Sequence, residues 1–518
     1  MNVKDRLLLS GRNLLGSLSR DDGYLPYWHM AVDGDLRAMY QFRPYCTGHN
    51  VGRWWNAMLR LERAAGFEIP VEIEAAMLEN SRRLSDNASG IFLEDVDPCD
   101  PATWYIHSYR ETMLSFGLLV ECRGSNRAAA WGRRAIEGMS RASRDLMEWK
   151  FSFDGGPVRS KHGNSAAPAY THGRAIEGLL CFHAATGEPA AFKEAERLAD
   201  FHFRFLLNQD GSLAGGCGHH THSYLNTLRG LLKLAVLQGS RERQELIYKT
   251  YREAVSGMIT RSGFVTHDIG DHYGGDIASA GDIAHIALLL WDLFADPGLL
   301  DDAERIARAR LFPAQVREPV PIRPAEVAGA RDCYRDLPIR FVGAIGGSVG
   351  HVSGQTCVTD FTASALHSLI ELWTRTVDVE GEVVRVNFHF DYDLPELSVR
   401  AERGENGARV TVVNRTGKEL RLRYPGWADE GTCSVTVDGR PVEATVQNGF
   451  VVVAQGEGAS TSELRFALPE YEEDELSRDA SAEEDTVVAF RWRGDEIADV
   501  SSGGPYMEPH PALCRSLL

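Results

Sequence analysis

Residues 221–239, THSYLNTLRGLLKLAVLQG, open on a polar cluster, run through apolar positions at helical spacing and stop at glycine. Four other stretches share the plan: TGHNVGRWWNAMLRLERAAG (47–66), IHSYRETMLSFGLLVECRG (106–124), THGRAIEGLLCFHAATG (171–187) and GDIAHIALLLWDLFADPG (281–298). Their anchors are His49, His107, His172, His222 and Asp282, and their terminal glycines are Gly66, Gly124, Gly187, Gly239 and Gly298. Anchor and glycine are 17, 17, 15, 17 and 16 residues apart. That constancy predicts five equivalent helices, each stopped where glycine adopts the left-handed conformation of a C-terminal cap.

A charged, amphipathic segment follows each stop, as in EPAAFKEAERLADFHFRFL, SRERQELIYKTYREAVSGM and LLDDAERIARARLF, so the unit is a hairpin of one buried and one half-solvated helix. The anchors recur every 58, 65, 50 and 60 residues, long enough for such a hairpin and a loop. A sixth apolar helix, TCVTDFTASALHSLIELW, begins near Cys357 and takes the N-terminal segment as its partner. Six hairpins closing on themselves give an (α/α)6 toroid over residues 1–380, in which each hairpin buries a face on its neighbours. An open helical solenoid is the alternative. From about residue 383 the period changes to two, in VVRVNFHF, LSVRAE, ARVTVVN, ELRLRY, CSVTVDG, RPVEATV and FVVVAQ. Asp438-Gly439 and Asn448-Gly449 mark tight turns between such runs. Residues 381–518 therefore read as a β-sandwich domain, with the acidic block at 470–485 as a solvated loop and TVVAFRWRGDEIADV as one further strand.

Bulk properties narrow the partners. A formal net charge of -18 lacks the basic footprint that phosphate backbones demand, so nucleic acid is excluded as an expected partner. The longest apolar run, around IALLLWDLF, is far short of the roughly 20 residues a membrane span needs. MNVKDRLLLSGRNLLG lacks a signal core with a cleavage site, so the expected setting is cytoplasmic, with no membrane. The nine cysteines include no CxxC pair, which argues for reduced thiols and against a closed zinc knuckle. The expected partner is a small molecule or oligosaccharide, and a homodimer is compatible with the composition.

In a ring of hairpins, the starts of the inner helices meet at one end of a central funnel. His49, His107, His172, His222, Asp282 and Asp360 converge there, joined by Arg53, Arg110 and Arg174. Helix N-termini favour anionic or hydroxyl-rich ligands, and arginine reads a carboxylate bidentately. Trp54, with Trp55, Trp104 and Tyr105, is placed to stack on sugar faces. GFVTHDIGDHYGGDIASAGDIAH carries Asp268, Asp271, Asp276 and Asp282 among His267, His272 and His285, where a funnel lip would be. Glycosidic hydrolysis needs a proton donor and a carboxylate base or nucleophile, so Asp282 and Asp268 are the acid/base candidates, with Glu111 behind them. His222 completes the catalytic group; His49, Arg53, His107, Arg110, His172, Arg174, His267, His272, Trp54 and Asp360 are the substrate-binding group. In GGCGHHTH (215–222) only His222 holds the shared register, so Cys217, His219 and His220 read as a loop and a sugar-binding lip is favoured over a metal site. No cofactor or metal is expected.

The pattern resembles the six-hairpin glycosidases, in particular the bacterial β-L-arabinofuranosidase-like group (glycoside hydrolase family 127) and its uronic-acid-cleaving, β-glucuronidase-like relatives (family 154). THSYLNTLRGLLKLA, GDIAHIALLLW and TCVTDFTASALHSL resemble three of the family's inner helices, and RLRYPGWADEGTCSVTVDGRPV resembles its sandwich signature. The resemblance implies an exo-acting glycoside hydrolase for a short oligosaccharide or glycoside, with a terminal uronic acid suiting the arginines. It also implies, for the arabinofuranosidases, a cysteine nucleophile held by zinc on one glutamate and three cysteines. This chain departs from that set: Thr356 stands at the first position of the cysteine pair, GDIAH has no cysteine, and Cys357 remains. Carboxylate or histidine chemistry is the expectation that follows. An arabinofuranosidase-like hydrolase, a polysaccharide lyase using a Tyr or His base, and an inactive carbohydrate-binding protein are the alternatives.

Overall fold

The computed structural model describes residues 2–27, 29–32, 37–41, 47–87, 90–93, 103–104, 108–142, 159–160, 172–214, 220–270, 276–319, 323–324, 332–346, 355–357, 359–453, 458–477 and 486–500. Within these residues, six helices form an inner ring: α2 (Thr47–Ala65), α4 (Ser108–Arg123), α6 (Ala175–Thr186), α8 (Thr221–Leu237), α10 (Ile277–Phe294) and α13 (Thr359–Thr374). Each packs on the next, and α13 packs back on α2, which closes the ring. The outer layer is α1 (Val3–Gly16), α3 (Val71–Ser85), α5 (Asn126–Ala142), α7 (Pro189–Phe205), α9 (Arg241–Glu253) and α11 (Pro297–Ile306); the short α12 (Leu337–Arg340) lies beside α1. As expected, the N-terminal helix α1 partners α13. One apolar core unites the two layers, and the 18-residue α10, long and apolar enough by composition to span a membrane, is a wall of that core.

Close packing explains the glycines inside the ring. A Cβ on Gly178 would lie 2.5 Å from the Arg110 carbonyl oxygen, so only glycine lets α6 approach α4 this closely. Of the five predicted stops, Gly66, Gly124, Gly187 and Gly239 have the left-handed φ of a C-cap. The fifth does not. α10 ends with Ala295 at φ 50° and ψ 35°, while Gly298 lies inside α11, its N–H accepted by the Asp296 carboxylate that caps that helix. Pro297 at the first position of α11 starts the next helix early and forces the reversal onto Ala295.

The C-terminal region begins at Val377–Glu380, three residues after α13. A five-stranded sheet (order 446–447, 450–453, 419–423, 383–386, 377–380) and a six-stranded sheet (392–394, 397–404, 407–414, 460–466, 434–437, 440–442) share one core of Val384, Leu420, Val451, Val399, Val412 and Leu464, among others. That is the expected sandwich. Asp438, Gly439, Asn448 and Gly449 all have positive φ, as the predicted two-residue hairpin turns require. Two readings are corrected. Glu470–Ser477, expected as solvated loop, is an edge strand of a separate three-stranded sheet, while 478–485 lie outside the described residues. Its charges belong on an edge: Glu473 pairs with Arg261, Glu470 with Arg493, and Glu475 accepts from Ser262. The predicted single strand at 486–500 is two, Thr486–Arg493 and Glu496–Val500, turning at Gly494 with φ 64°. This small sheet seats Val488, Phe490 and Trp492 against Ala309 of the toroid.

Ala295 yields a direct test. Its left-handed conformation is strained for a residue with a Cβ, so Ala295→Gly should raise stability by about 1 kcal/mol, read as an increased denaturant midpoint at constant m. An unchanged or lowered midpoint would remove the strain from the account.

Candidate active site

His49 and Arg53 lie one turn apart on α2, so both face the ring interior. His49 Nε2 is 2.8 Å from Asp360 Oδ1, and Arg53 Nε is 2.6 Å from the same oxygen; Asp360 is the second residue of α13. Arg53 Nη2 donates to His222 Nε2 across 2.5 Å, joining α8 to the group. On α4, Arg110 donates to Glu111 Oε1 at 2.5 Å and to Glu177 Oε2 at 2.7 Å. Arg174, at the start of α6, donates to Glu111 Oε1 at 3.2 Å. The starts of five inner helices thus meet in one polar network, with α10 entering through Asp282.

Three of its members carry no signal in the helix starts. Arg229, seven residues after His222 and so two turns deeper on the same face, donates to Asp282 Oδ1 at 2.9 Å and to Glu177 Oε2 at 2.8 Å. Lys233 donates to Glu177 Oε1 at 2.6 Å, and Asn226 donates to Asp282 Oδ2 at 3.0 Å. The i+4, i+7 and i+11 spacing from His222 is the pattern that finds them, once the ring's inner face is known.

The hydrogen bonds fix a tautomer. A guanidinium only donates, so His222 Nε2 accepts from Arg53 and the ring proton sits on Nδ1, 2.5 Å from Asp282 Oδ2. Asp282 then accepts on both oxygens. Burial raises the Asp282 carboxyl against the pull of Arg229, Arg110 and Arg53, while three donors, His222, Asn226 and Arg229, use it as an acceptor. Burial, with Arg53 and Arg174, keeps His222 neutral. Burial would raise Asp360 too, but Arg53 and His49 outweigh it and hold that carboxyl far below the ordinary range. Glu111 behaves alike, burial being outweighed by Arg110, Arg174 and Arg53. The Asp360 side chain is 14% exposed, whereas Glu111, Glu177 and Asp282 are each 1% exposed. Among the described carboxylates of this network Asp360 is the most exposed, while Asp282 is buried against His222.

The other expected residues divide. Trp54 is fully buried, its indole N–H on the Leu14 carbonyl of α1, so sugar stacking by Trp54 is corrected to outer-layer packing. One step along a helix rotates a side chain by about 100°, which turns it away from the Arg53 face. Asp282 is the sixth residue of α10 and not its first; Asp276 is the N-cap, accepting from the Ala278 and Ser279 amides. His267 and Asp268 pair at 3.0 Å with roughly half-exposed side chains, and a backbone bridge joins Asp268 to His220, whose ring is 6.1 Å from that of His222. They form the mouth, apart from the buried network. His172 meets His202 of α7 at 3.0 Å, and burial lowers His202 to about 3. His107, Cys217, His219, Asp271 and His272 lie outside the described residues.

Metal fits poorly. His285, His367 and Glu371 place ligand atoms within 4.8 Å of one another. Yet Arg229 faces His285 Nδ1 at 3.2 Å, Asn56 Nδ2 faces His367 Nδ1 at 3.2 Å, and Arg60 and Arg375 neutralise Glu371. A metal-bound imidazole needs an acceptor on its second nitrogen, and here donors stand there. The zinc centre implied by the resemblance to family 127 also does not fit: Asp282 is saturated by His222, Asn226 and Arg229, and α10 holds no cysteine.

No family model and no curated protein matches the sequence. Solved structures match in fold. A GH127 β-L-arabinofuranosidase from Geobacillus stearothermophilus T6 aligns over 87% of this chain and 76% of its own, with TM-score 0.55 at 14% identity. Another GH127 β-arabinofuranosidase aligns over 94% and 78%, with TM-score 0.57 at 13% identity. A sugar epimerase from a ruminal bacterium aligns over 73% and 99%, with TM-score 0.51 at 11% identity. The chain has the (α/α)6 toroid fold.

Acid should dismantle the network. Glu111, Glu177 and Asp360 have folded pKa values below their unfolded ones, so each contributes stability above the ordinary carboxylate range and loses it as pH falls through that range. Asp282 and Asp276 are raised and work in the opposite sense. Three strongly lowered groups outweigh two, so stability should fall below about pH 4. Glu177→Gln should cost about 3–5 kcal/mol at neutral pH and flatten that acid slope in denaturant titrations; an unaltered slope would contradict the assignment.

Proposed function

We propose that this protein is an exo-acting glycoside hydrolase for a short oligosaccharide or glycoside with a terminal uronic acid, working on small substrates in a cytoplasmic setting. One observation carries the reading: Asp360, ionised and partly exposed, stands among arginines and neutral histidines at the starts of the inner helices. Asp360 serves as the carboxylate base or nucleophile, and Asp268 at the mouth supplies the second carboxyl that hydrolysis requires. His222 and His49 hold hydroxyls; Asp282 fixes the His222 tautomer. The solved structures of this fold include enzymes named as arabinofuranosidases and a sugar epimerase, which supports carbohydrate chemistry without choosing the sugar.

A second reading has its own support. His222, with Asp282 on Nδ1 and Nε2 accepting from Arg53, has the orientation of a general base once substrate displaces the Arg53 contact. That geometry suits β-elimination next to a uronate carboxylate. Ultraviolet absorbance of an unsaturated product distinguishes it from hydrolysis.

Nitrophenyl glucuronide, arabinofuranoside, galactoside and rhamnoside, each assayed with and without chelator, test the class. The expected result is turnover of the glucuronide, insensitive to chelator, with Asp360→Asn lowering kcat by about 100-fold or more. Asp282→Asn should lower kcat with little change in KM. Full activity in both variants would refute these roles.

A further inference from the structure

Three arginines of the network, Arg53, Arg110 and Arg174, converge on a single carboxylate oxygen, Glu111 Oε1. Two of them have further anionic partners: Arg53 shares Asp360, and Arg110 shares Glu177. Arg174 does not. Among the described residues its remaining contact is the Ser223 hydroxyl at 3.5 Å, and its Nε has no hydrogen-bond partner there although the residue is 2% exposed. An unsatisfied donor on a buried charge is costly, so the site gains most from a ligand that supplies the missing acceptor.

The pairing is uneven. Among the described residues five cations, Arg53, Arg110, Arg174, Arg229 and Lys233, pair with four carboxylates, Glu111, Glu177, Asp282 and Asp360, with the buried Asp276 close to the last two. Burial keeps the neighbouring His49, His220 and His222 neutral, so they add no balancing charge to the sum. Arg174, whose one ion-pair partner Glu111 is shared with Arg53 and Arg110, lies at the start of α6.

We infer that Arg174, with Ser223 beside it, is the subsite that binds the carboxylate of the sugar, and that Arg53 and Arg110 are internal counter-ions that hold the network together. The inference rests on the funnel being a carbohydrate site, and it selects one of three arginines as the specificity determinant. A planar carboxylate can take two donors from one guanidinium, which a neutral hydroxymethyl group cannot match.

Calorimetric titration of the full-length protein with D-glucuronate and with D-glucose tests it without requiring turnover. The wild type should bind glucuronate about tenfold or more tightly than glucose. Arg174→Gln should abolish that difference by weakening glucuronate alone. Arg174→Lys, which keeps the charge and loses the bidentate fork, should retain part of it. Thermal midpoints establish that each variant is folded. Undetectable glucuronate binding or equal affinities in the wild type, undiminished glucuronate binding in either variant, or equal loss of both sugars would overturn the assignment. If Arg174-dependent selectivity appears while no glycoside is cleaved, the hydrolase reading fails and the subsite stands; cleavage with selectivity indifferent to Arg174 gives the reverse.

Discussion

A closed circuit of buried polar contacts ties the inner helices to one another, and the site depends on it. Arg53 bridges α2 to Glu111 of α4, Arg110 bridges α4 to Glu177 of α6, and Arg229 of α8 bridges both Glu177 and Asp282 of α10. Asp360 of α13 returns to Arg53, and the rings of His285 and His367, 5.2 Å apart, span α10 and α13. Several pairs are bridged more than once: Arg174–Glu111 doubles Arg110–Glu177 between α4 and α6, Lys233–Glu177 doubles Arg229–Glu177 between α6 and α8, and His222 and Asn226 join Arg229 on Asp282 between α8 and α10. Buried ion pairs are a weak source of net stability, because desolvation offsets much of the attraction. What they provide here is position: a helix that slipped along its axis would strand a charge in the core.

That constraint also sets the chemistry. The circuit leaves His222 neutral with one defined tautomer, Asp360 ionised and partly exposed, and Arg174 with one shared carboxylate partner. Each property follows from the donors, acceptors and charges that the buried network brings together. The same reasoning disfavours a metal at His285, His367 and Glu371, where guanidinium and amide donors face the ring nitrogens that a metal-bound imidazole would turn to acceptors.

The toroid was legible because it repeats: a constant distance from polar anchor to glycine is a statement about helix length, and it located His49, His222, Arg53, Arg110, Arg174 and Asp360 at one end of the ring. Residues deeper in the helices were hidden, since Arg229, Glu177 and Lys233 resemble ordinary helix-surface charges until the ring closes over them. Trp54 was misread because adjacency in sequence was taken for adjacency in space, although consecutive helical residues diverge by about 100°. The acidic strand at 470–477 was hidden for a different reason: edge strands tolerate charge on the faces that periodicity relies on. Gly298 carried the composition of a stop, but the Asp296-Pro297 start of the next helix took precedence.

The most direct measurement is a crystal structure with D-glucuronate bound. The account predicts the sugar across the starts of the inner helices, its carboxylate within hydrogen-bonding distance of the Arg174 guanidinium and its ring beside Asp360 and His222. Glucuronate bound outside the ring, or in the funnel with its carboxylate turned away from Arg174 toward solvent, would contradict it.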